Sequence, residues 1–325
     1  MNPWNAISKE LSLLSGLPLK TLLDQALEVK FKHRSNRLSL CTIMNVKSGL
    51  CTENCAFCAQ SARFKTGSPV YGLKSTAEIV EEAQRAKAAG SMRFSLVASG
   101  RGPNDEEVDL YAERISAIRS RVGINICASL GIIDKYSLIK LKEAGLSRYH
   151  HNIETSARFY PNIVTTHSFN ERINTILAAK EAGLEVCTGG IIGLGEASED
   201  RIDMAATLKY LNVDSVPINI LVPIPGTPLA STPAIPIYEI LRTIAVFRIA
   251  LPDKAIRIAG GRETALKDFQ VLAFLSGADA MLVGGYLTVR GRTIEEDMAF
   301  VKNIKGLWRH YMEWNPKPDW PDLSF

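Results

Sequence analysis

Residues 40–58 read Leu-Cys-Thr-Ile-Met-Asn-Val-Lys-Ser-Gly-Leu-Cys-Thr-Glu-Asn-Cys-Ala-Phe-Cys, an apolar run that passes directly into a cysteine-rich loop. The run over 40–46 is short and apolar, which predicts a buried strand. The loop spaces Cys51, Cys55 and Cys58 as C-x3-C-x2-C, so one backbone curl can direct three sulfur atoms to one point. In a barrel of parallel strands the chemistry lies at the carboxyl ends of the strands. The loop follows the first strand and is therefore expected to cap that end.

The rest of the chain alternates short apolar runs with longer amphipathic segments. Strands are predicted over 40–46, 92–97, 125–129, 148–153, 185–192, 215–222, 255–259 and 280–283. Helices are predicted over 76–89, 134–144, 170–182, 199–211 and 236–250, and three of them end at Gly90, Gly145 and Gly183. Eight strands that alternate with helices predict an α/β fold, a parallel (β/α)8 barrel of the TIM type. A doubly wound open sheet is the alternative, although it would use fewer strands.

The chain divides into one large unit with an extension at each end. Residues 1–38 are expected to form an N-terminal helical extension that covers the barrel. The barrel itself is expected over 39–290. Residues 291–325, rich in Trp, Pro and charge near their end, are expected to form a C-terminal helix and tail.

Composition limits the classes of protein that this chain can be. With 325 residues, 46% of them hydrophobic, it is long enough for one large core. The net charge of +4 is small and the basic residues are scattered, so no nucleic-acid partner is expected. No apolar run approaches the roughly 18 residues that span a bilayer, and no signal-peptide h-region is evident. Half of the six cysteines lie in one loop, which predicts a reducing cytoplasm rather than a secreted disulfide framework.

The number of cysteines in the loop indicates the kind of centre they would hold. A structural zinc or a ferredoxin-type cluster takes four protein ligands. Three thiolates would leave one iron of a [4Fe–4S] cluster open to a substrate. The loop therefore resembles the radical S-adenosylmethionine (SAM) signature, in which SAM chelates that iron, and Phe57 before the third cysteine fits it. A zinc knuckle completed by a distant ligand, or three unrelated thiols, are the alternatives.

Three more cysteines and one arginine lie in predicted strands. Cys41, Cys127 and Cys187 fall in the first, third and fifth strands, where a single buried cysteine usually packs as a small hydrophobe. Strands of one barrel can, however, direct such side chains into a shared lumen. Arg257 lies in another strand, and an inward arginine is costly unless it is paired. Thiolates facing it would supply the partner.

Several polar residues in the strands are candidate ligand-binding groups. Asn152 and Glu154 alternate along the fourth strand, so they point the same way and could hold ribose hydroxyls. Asn219 is polar in an otherwise apolar strand and needs a hydrogen-bond partner. His150 and His151 are adjacent and cannot both face one metal, so they are expected to pack. The glycine cluster 189–195 permits close approach of a ligand, although tight barrel turns need glycine in any case.

An ordered set of motifs resembles the biotin synthase family from about residue 40 to 285. The segments that carry the resemblance are Cys51–Cys58 with Ala59-Gln60-Ser61-Ala62-Arg63, Ala88-Ala89-Gly90-Ser91-Met92-Arg93-Phe94, Tyr149-His150-His151-Asn152-Ile153-Glu154-Thr155-Ser156, Cys187-Thr188-Gly189-Gly190-Ile191-Ile192-Gly193-Leu194-Gly195-Glu196, Val216-Pro217-Ile218-Asn219, Gly226-Thr227-Pro228-Leu229 and Arg257-Ile258-Ala259-Gly260-Gly261-Arg262-Glu263. The cysteine signature alone specifies only the radical SAM superfamily. The ordered set is much more specific.

The resemblance implies a homodimeric enzyme that converts dethiobiotin to biotin by inserting sulfur between two unactivated carbons. It implies a [4Fe–4S] cluster held by Cys51, Cys55 and Cys58, with SAM bound to it. One electron, from a donor such as flavodoxin or ferredoxin, would cleave SAM to methionine and a 5′-deoxyadenosyl radical that takes a hydrogen atom from the substrate. No side chain is expected to act as an acid or base.

The resemblance also implies roles for residues around SAM and the substrate. Asn152 and Glu154 would bind the SAM ribose, and Phe57 would lie near the adenine. Arg172 and Gly193 are further candidates for SAM binding. Asn219, together with Asn152, would bind the ureido ring of dethiobiotin.

A second, auxiliary cluster supplies the sulfur in this family, a [2Fe–2S] cluster held by three cysteines and an arginine. Cys127, Cys187 and Arg257 occupy three of these positions, and Ser95 occupies the fourth, where the family has cysteine. A serine alkoxide is a hard donor that suits such iron poorly. Cys41, on the neighbouring strand, is hypothesised to restore the missing thiolate.

Two other classes of function remain open at this point. The first is another radical SAM enzyme on the same scaffold, a mutase, lyase or cofactor-maturation enzyme without a sulfur donor, which Ser95 favours. The second is a barrel stabilised by zinc without catalysis. Cys127, Cys187, Arg257 and Asn219 oppose the first, because an enzyme without a donor has no use for that set.

Overall fold

Nine short parallel strand segments form the centre of the protein in a computed structural model that describes residues 2–285 and 291–314. The strands are β1 (Ser39–Lys47), β2 (Arg93–Ala98), β3 (Asn125–Ser129), β4 (Leu146–His150), β5 (Glu185–Cys187), β6 (Gly190–Ile192), β7 (Ser215–Ile220), β8 (Ala255–Ile258) and β9 (Ala280–Leu282). Their order is β5-β4-β3-β2-β1-β9-β8-β7-β6, and β5 also pairs with β7. The pairing of Cys187 with Ser215 closes the sheet, so the predicted barrel is confirmed and the open-sheet alternative is wrong.

The fifth barrel strand is interrupted, although the sequence predicts one strand over 185–192. β5 and β6 are its two halves, and Thr188 and Gly189 lie between them. A Cβ atom on Gly189 would lie 1.9 Å from the carbonyl oxygen of Pro217 on β7, so only glycine fits there. The fourth strand also ends earlier than the predicted 148–153. The chain leaves β4 after His150 and turns toward Glu154.

Helices surround the barrel and lie mostly where the sequence predicts them. They are α1 (Asn5–Ser12), α2 (Leu19–Arg34), α3 (Thr76–Ala88), α4 (Asp105–Arg121), α5 (Lys135–Ala144), α6 (Phe169–Glu181), α7 (Ser198–Tyr210), α8 (Ile237–Ala250), α9 (Arg262–Leu266), α10 (Gln270–Leu275) and α11 (Ile294–Trp314). Single 3-10 turns cover Leu13–Gly16, Tyr160–Asn162 and Lys267–Phe269. Among the described residues no helix combines the length and apolarity that crossing a membrane requires.

Helix ends follow the local sequence. Ser75 and Glu78 form a capping box at the start of α3, in which each side chain bonds the backbone N–H of the other. Gly90 after α3 and Gly183 after α6 have φ angles of 84° and 73°, the left-handed conformation predicted for them. α4, outside the predicted helices, begins at a second capping box.

The two ends of the chain pack on the outside of the barrel. α2 lies along α8, and α1 lies along α7. On α11, the Trp308 ring meets Phe31 of α2 edge-on, with 6.2 Å between ring centroids. Residues 286–290 of the predicted barrel range and 315–325 of the predicted tail lie outside the described residues.

Strand residues alternate between the outer core and the lumen. In β2, Phe94 and Leu96 are completely buried against the helices, whereas Ser95 and Val97 face a central cavity. This alternation, which has a period of two residues, places Ser95 and Val97 of β2 in the lumen.

A buried ion-pair network fastens the amino end of β9. The Asp279 carboxylate lies 2.8 Å from the Arg248 guanidinium on α8, and neither side chain is exposed. Arg34 of α2 donates to the other carboxylate oxygen at 2.6 Å, and the Ile256 N–H donates at 2.8 Å. Asp279 therefore joins a strand, an outer helix and the N-terminal extension.

Asp279→Ala is expected to lower the free energy of unfolding by about 3–5 kcal/mol, because Arg248 would remain buried without its counter-charge. Urea denaturation of the cluster-free protein measures this change. Lys20→Ala, which removes an exposed ion pair with Asp24, is the control and is expected to leave the midpoint in place. An equal effect of the two substitutions would contradict the assignment.

Candidate active site

A cavity of about 300 Å³ opens at the carboxyl end of the barrel and extends down between the strands. All six cysteines of the chain line it, and none of them forms a disulfide. Its outer part is formed by the loop after β1 and by the segment after β4. Its inner part is formed by side chains of the strands themselves. The two sets of candidate residues therefore share one space.

Short hydrogen bonds fold the loop that carries the cysteine signature. The Cys51 N–H donates to the Gln60 carbonyl at 3.1 Å, and the Ala62 N–H donates to the Cys51 carbonyl at 2.8 Å. Between the other two cysteines, the Cys58 N–H donates to the Cys55 carbonyl at 2.9 Å. This compact curl brings the three thiols to the cavity wall, as the spacing predicts.

The three loop thiols lie in mutual electrostatic contact. Burial raises the pKa of Cys55 to about 12, with the Arg172 guanidinium as an opposing charge. Burial also raises the pKa of Cys58, although the backbone N–H groups of Gln60 and Ser61 donate to its sulfur and oppose this. A thiol must lose its proton to bind metal. The three thiols suit a cationic metal centre, which would replace their protons on binding.

The zinc alternative finds no support in the described ranges 2–285 and 291–314. There, no group of three His, Cys, Asp or Glu side chains is arranged to hold a single metal ion. A single zinc ion needs its ligands within about 2.0–2.3 Å of one point. The loop thiols border a larger space, which suits a polynuclear cluster better.

A chain of polar contacts follows the segment after β4. The Asn152 amide Nδ2 donates to Glu154 Oε2 at 3.3 Å, and the Arg172 guanidinium lies 3.4 Å from Glu154 Oε1. Arg172, on α6, also donates to the Tyr160 hydroxyl at 2.7 Å and to the Asn152 carbonyl at 3.0 Å. Burial raises the pKa of Glu154, and the Arg172 charge opposes that shift.

Glu154 is held in an unusual backbone conformation. Its φ of 66° is left-handed, which is uncommon for a residue other than glycine. Its carbonyl accepts the Ile191 N–H at 2.8 Å, and a Cβ atom on Gly190 would lie 2.3 Å from that carbonyl oxygen. Such strain persists where the surroundings enforce it and is frequent at functional sites.

The glycines after β5 are required mainly by backbone packing. Gly189 and Gly190 approach neighbouring carbonyl groups, as described above. The Gly193 N–H donates to the Glu196 carboxylate at 2.9 Å, and Gly193 packs against Ile235 outside the cavity lining. The structure therefore brings Asn152, Glu154 and Arg172 together but places Gly193 apart from them.

Asn219 on β7 faces the cavity with its amide fixed in place. Nδ2 donates to the Gly190 carbonyl at 3.1 Å, and Oδ1 accepts the Gly260 N–H at 3.0 Å. An amide can make four hydrogen bonds, so one N–H and one lone pair remain for a ligand. Phe57 of the signature loop lines the same cavity.

The inner candidate residues line one part of the cavity. Cys41, Ser95, Cys127, Cys187 and Arg257 are each the third residue of their strand, and all of them line the cavity. Ser95 and Cys127 are in direct register on β2 and β3. The structure therefore brings the predicted inner set together around one cavity, with Cys41 in register with Arg93, two residues before Ser95.

Ser95 has no hydrogen-bond partner. Its side chain is 2% exposed, and its hydroxyl is one of the buried polar atoms without a partner in the described part of the chain. Leaving a buried hydroxyl unpaired costs about 1–3 kcal/mol. Such an atom, next to three cysteines in a polar cavity, indicates that the space takes a bound group.

Cys41 lies close to Cys127, and the two thiols influence each other's ionisation. This interaction lowers the pKa of Cys41 to about 7, against the effect of burial, and the Arg257 charge adds to the lowering. The Arg257 guanidinium is 2% exposed and donates to the Met281 carbonyl at 3.0 Å. Cys41 is thus directed at the same space as the other inner thiols.

His150 and Arg148, which the sequence did not identify as part of the inner site, also line it. Burial opposes ionisation of Cys187, but the His150 imidazole and the Arg148 guanidinium lower its pKa to about 6. Arg148 itself pairs with Glu185 at 2.8 Å. The two-residue alternation that singles out Asn152 and Glu154 also includes Arg148 and His150, and could have identified them.

The signature loop is anchored to the start of α6 by residues that sequence reasoning also missed. The Thr166 hydroxyl donates to the Glu53 carboxylate at 2.6 Å, and the His167 imidazole bonds the same group. Asn54 accepts the Thr165 N–H at 3.0 Å. Because α6 carries Arg172, these contacts fix the cysteine loop relative to the Glu154 site.

Comparison with known families divides the chain into two matching parts. The radical SAM superfamily model matches residues 45–208, and the biotin and thiamin synthesis associated domain matches residues 217–305. The first match ends in α7 and the second begins in β7. Together they cover the cavity lining except Cys41 and Ile43, which precede the first match.

Curated relatives are similar over almost the full chain. The biotin synthase of Pelotomaculum thermopropionicum is 49% identical over 300 residues, which cover 91% of this chain and 94% of the relative. The biotin synthase of Thermotoga neapolitana is 49% identical over 275 residues, which cover 84% of this chain and 98% of the relative.

Solved structures share the fold at lower identity. Methylornithine synthase (PylB) superimposes with a TM-score of 0.79 at 23% identity, covering 93% of this chain and 96% of that protein. The FeFe-hydrogenase maturase HydG from Carboxydothermus hydrogenoformans gives a TM-score of 0.77 at 22% identity, covering 93% of this chain and 79% of that protein.

Proposed function

The chain belongs to the biotin synthase family of radical SAM enzymes, and we propose which of its residues carry out the reaction. Its activity is the insertion of sulfur into dethiobiotin to give biotin, with a [4Fe–4S] cluster, SAM and an auxiliary iron–sulfur cluster. The residue assignments rest on one observation, the cavity that all six cysteines line together with Asn152, Glu154 and Asn219.

The outer part of the cavity is assigned to the [4Fe–4S] cluster and SAM. Cys51, Cys55 and Cys58 would hold the cluster. When bound, the cluster and SAM supply the one-electron chemistry that removes hydrogen from an unactivated carbon. The protein holds the reactants in contact and excludes water, and a cavity that extends down between the barrel strands serves this purpose.

Glu154 and Asn152 are assigned to the SAM ribose. The Glu154 carboxylate can accept hydrogen bonds from two hydroxyl groups, and Arg172 keeps its charge compensated and its orientation fixed. The backbone strain at Glu154 directs this carboxylate into the cavity. Phe57 is assigned to the adenine, because its half-buried aromatic ring lines the cavity.

Asn219 is assigned to the ureido ring of dethiobiotin, together with Asn152. A ureido group presents a carbonyl acceptor and N–H donors side by side. The free N–H and the free lone pair of the Asn219 amide match that pattern, and Gly190 and Gly260 hold the amide in position.

Asn219→Ala is expected to raise the KM for dethiobiotin roughly tenfold, the equivalent of one lost hydrogen bond of about 1.4 kcal/mol. Deoxyadenosine formation without dethiobiotin is expected to stay unchanged. Steady-state assays of both products measure this. Asn162→Ala, at an exposed position, is the control, and an unchanged KM in Asn219→Ala would contradict the assignment.

The inner part of the cavity is assigned to the auxiliary cluster. Cys127, Cys187 and Arg257 occupy the positions that the family uses. Cys41 is proposed as the remaining thiolate, in place of Ser95. When bound, this cluster supplies the sulfur atom.

Three features support Cys41 rather than Ser95 as a ligand. Cys41 lines the same cavity as the other inner ligands and lies against Cys127. It lies within electrostatic reach of Arg257 and Cys187. A thiolate is the donor that such iron prefers, whereas the Ser95 hydroxyl is hard and keeps its proton under ordinary conditions.

The partners of the enzyme follow from the family and are proposed on that ground. They are dethiobiotin, an electron donor such as flavodoxin or ferredoxin, and a second copy of the chain in a homodimer. Six free cysteines are consistent with a reducing cytoplasm as the location.

The proposed function is tested by anaerobic incubation of reconstituted protein with SAM, a strong reductant and dethiobiotin, with biotin and deoxyadenosine quantified together. Both products are expected. Deoxyadenosine that dethiobiotin does not stimulate, without biotin, would support a radical SAM enzyme with another substrate and would overturn the substrate assignment.

A further inference from the structure

His150 connects the two halves of the cavity. It lies opposite Cys187 in the ladder between β4 and β5, and both side chains line the cavity. Its Nε2 atom also lies 3.2 Å from the Asn152 amide oxygen. One side chain thus lies beside an inner thiol and contacts an outer polar group.

The contacts continue beyond Asn152. The same amide oxygen accepts the Gly189 N–H at 3.2 Å, and the amide nitrogen donates to Glu154, which pairs with Arg172. A line of polar side chains therefore runs from Cys187 to the Arg172 guanidinium. His150, at the end of β4, is the first side chain in that line after Cys187.

We propose that His150 is a positioning residue that hydrogen-bonds the Cys187 sulfur of the auxiliary cluster and orients Asn152 for SAM and dethiobiotin. The inference rests on the proposed function of the cavity. It differs from the expectation that His150 only packs in the barrel. In this role His150, at the end of β4, would set the distance between the auxiliary cluster and the substrate site at Asn152.

The chemistry of metal sites gives the reason. Hydrogen bonds to ligand sulfur stabilise the more negative, reduced state of an iron–sulfur cluster and so raise its reduction potential. A hydrogen bond to Asn152 keeps its amide from rotating, because the amide oxygen is then shared between His150 and Gly189. Because the Cys187 sulfur and the Asn152 oxygen are both acceptors, His150 would serve both ends as the imidazolium, which carries an N–H on each ring nitrogen.

The test compares His150→Phe, His150→Gln and His151→Phe with the parent protein. Redox titration of the reconstituted protein follows the auxiliary cluster, and biotin formed per deoxyadenosine is measured in parallel. In His150→Phe we expect a more negative auxiliary potential and a fall of about tenfold or more in that product ratio. The spectrum of the SAM-bound cluster is expected to stay unchanged.

The other two variants separate positioning from packing. Gln keeps an N–H donor, so His150→Gln is expected to recover part of the potential and of the product ratio. The His151 ring stacks on Tyr149, with 6.3 Å between ring centroids, so His151→Phe is expected to leave the auxiliary potential unchanged.

Two results would overturn the inference. One is an auxiliary potential and product ratio that His150→Phe leaves as in the parent protein. The other is an equal shift in His150→Phe and His151→Phe, which would indicate a packing effect. A parent protein without any auxiliary cluster would instead overturn the proposed function, so the two failures are distinguishable.

Discussion

Cys41→Ala is expected to lose the auxiliary cluster and to lower biotin formation by about 100-fold or more, since even outer contacts of a metal site are worth about 10–100-fold. Cys41 lies against Cys127 in the inner part of the cavity and near Arg257. Removing it would leave two cysteines and an arginine for the cluster. Iron and sulfide analysis, together with the two product assays, measures the loss.

Deoxyadenosine formation is expected to survive in Cys41→Ala, because Cys51, Cys55 and Cys58 are untouched. Ser95→Ala is the matched control on the neighbouring strand and is expected to keep the auxiliary iron and biotin formation. If Ser95→Ala lost the auxiliary iron and Cys41→Ala kept it, serine would be the ligand and the assignment of Cys41 would be wrong.

Glu154→Gln is expected to slow deoxyadenosine formation by about 10–100-fold, the equivalent of one charge-assisted hydrogen bond of about 1.5–3 kcal/mol. The substitution removes the charge that holds the ribose and leaves Arg172 buried beside a neutral amide. Initial rates at several SAM concentrations measure the effect, which is expected mainly in KM for SAM.

Glu199→Gln, at an exposed position in the first turn of α7, is the control for that experiment. It is expected to leave the SAM dependence unchanged. Glu154→Gln with the parent KM for SAM would show that the ribose is bound elsewhere in the cavity.

The barrel could be predicted from the sequence because its strands are short apolar runs in a regular alternation with helices. The break between β5 and β6 could not, because it depends on the close approach of Gly189 to Pro217, 28 residues further along the chain. The helix α4 has its own capping box at Asn104 and Glu107, and that signal was available in the sequence.

The sequence also predicts part of the site, namely the residues that a local pattern identifies. Period-two alternation is local, and the prediction that Asn152 and Glu154 face the cavity is met although both lie beyond the end of β4, where the chain turns. The roles of His150 and Glu53 depend on contacts with distant segments, namely Cys187 on another strand and His167 before α6. No spacing rule for a single strand or loop contains that information.

The most direct test of the account uses protein whose clusters are reconstituted with isotopically heavy sulfide. A single turnover with SAM, reductant and dethiobiotin is then analysed by mass spectrometry of the biotin formed. For the parent protein we expect biotin that contains heavy sulfur. For Cys41→Ala we expect no biotin to form. Biotin carrying only ordinary sulfur, or heavy biotin at the parent level in Cys41→Ala, would contradict the account.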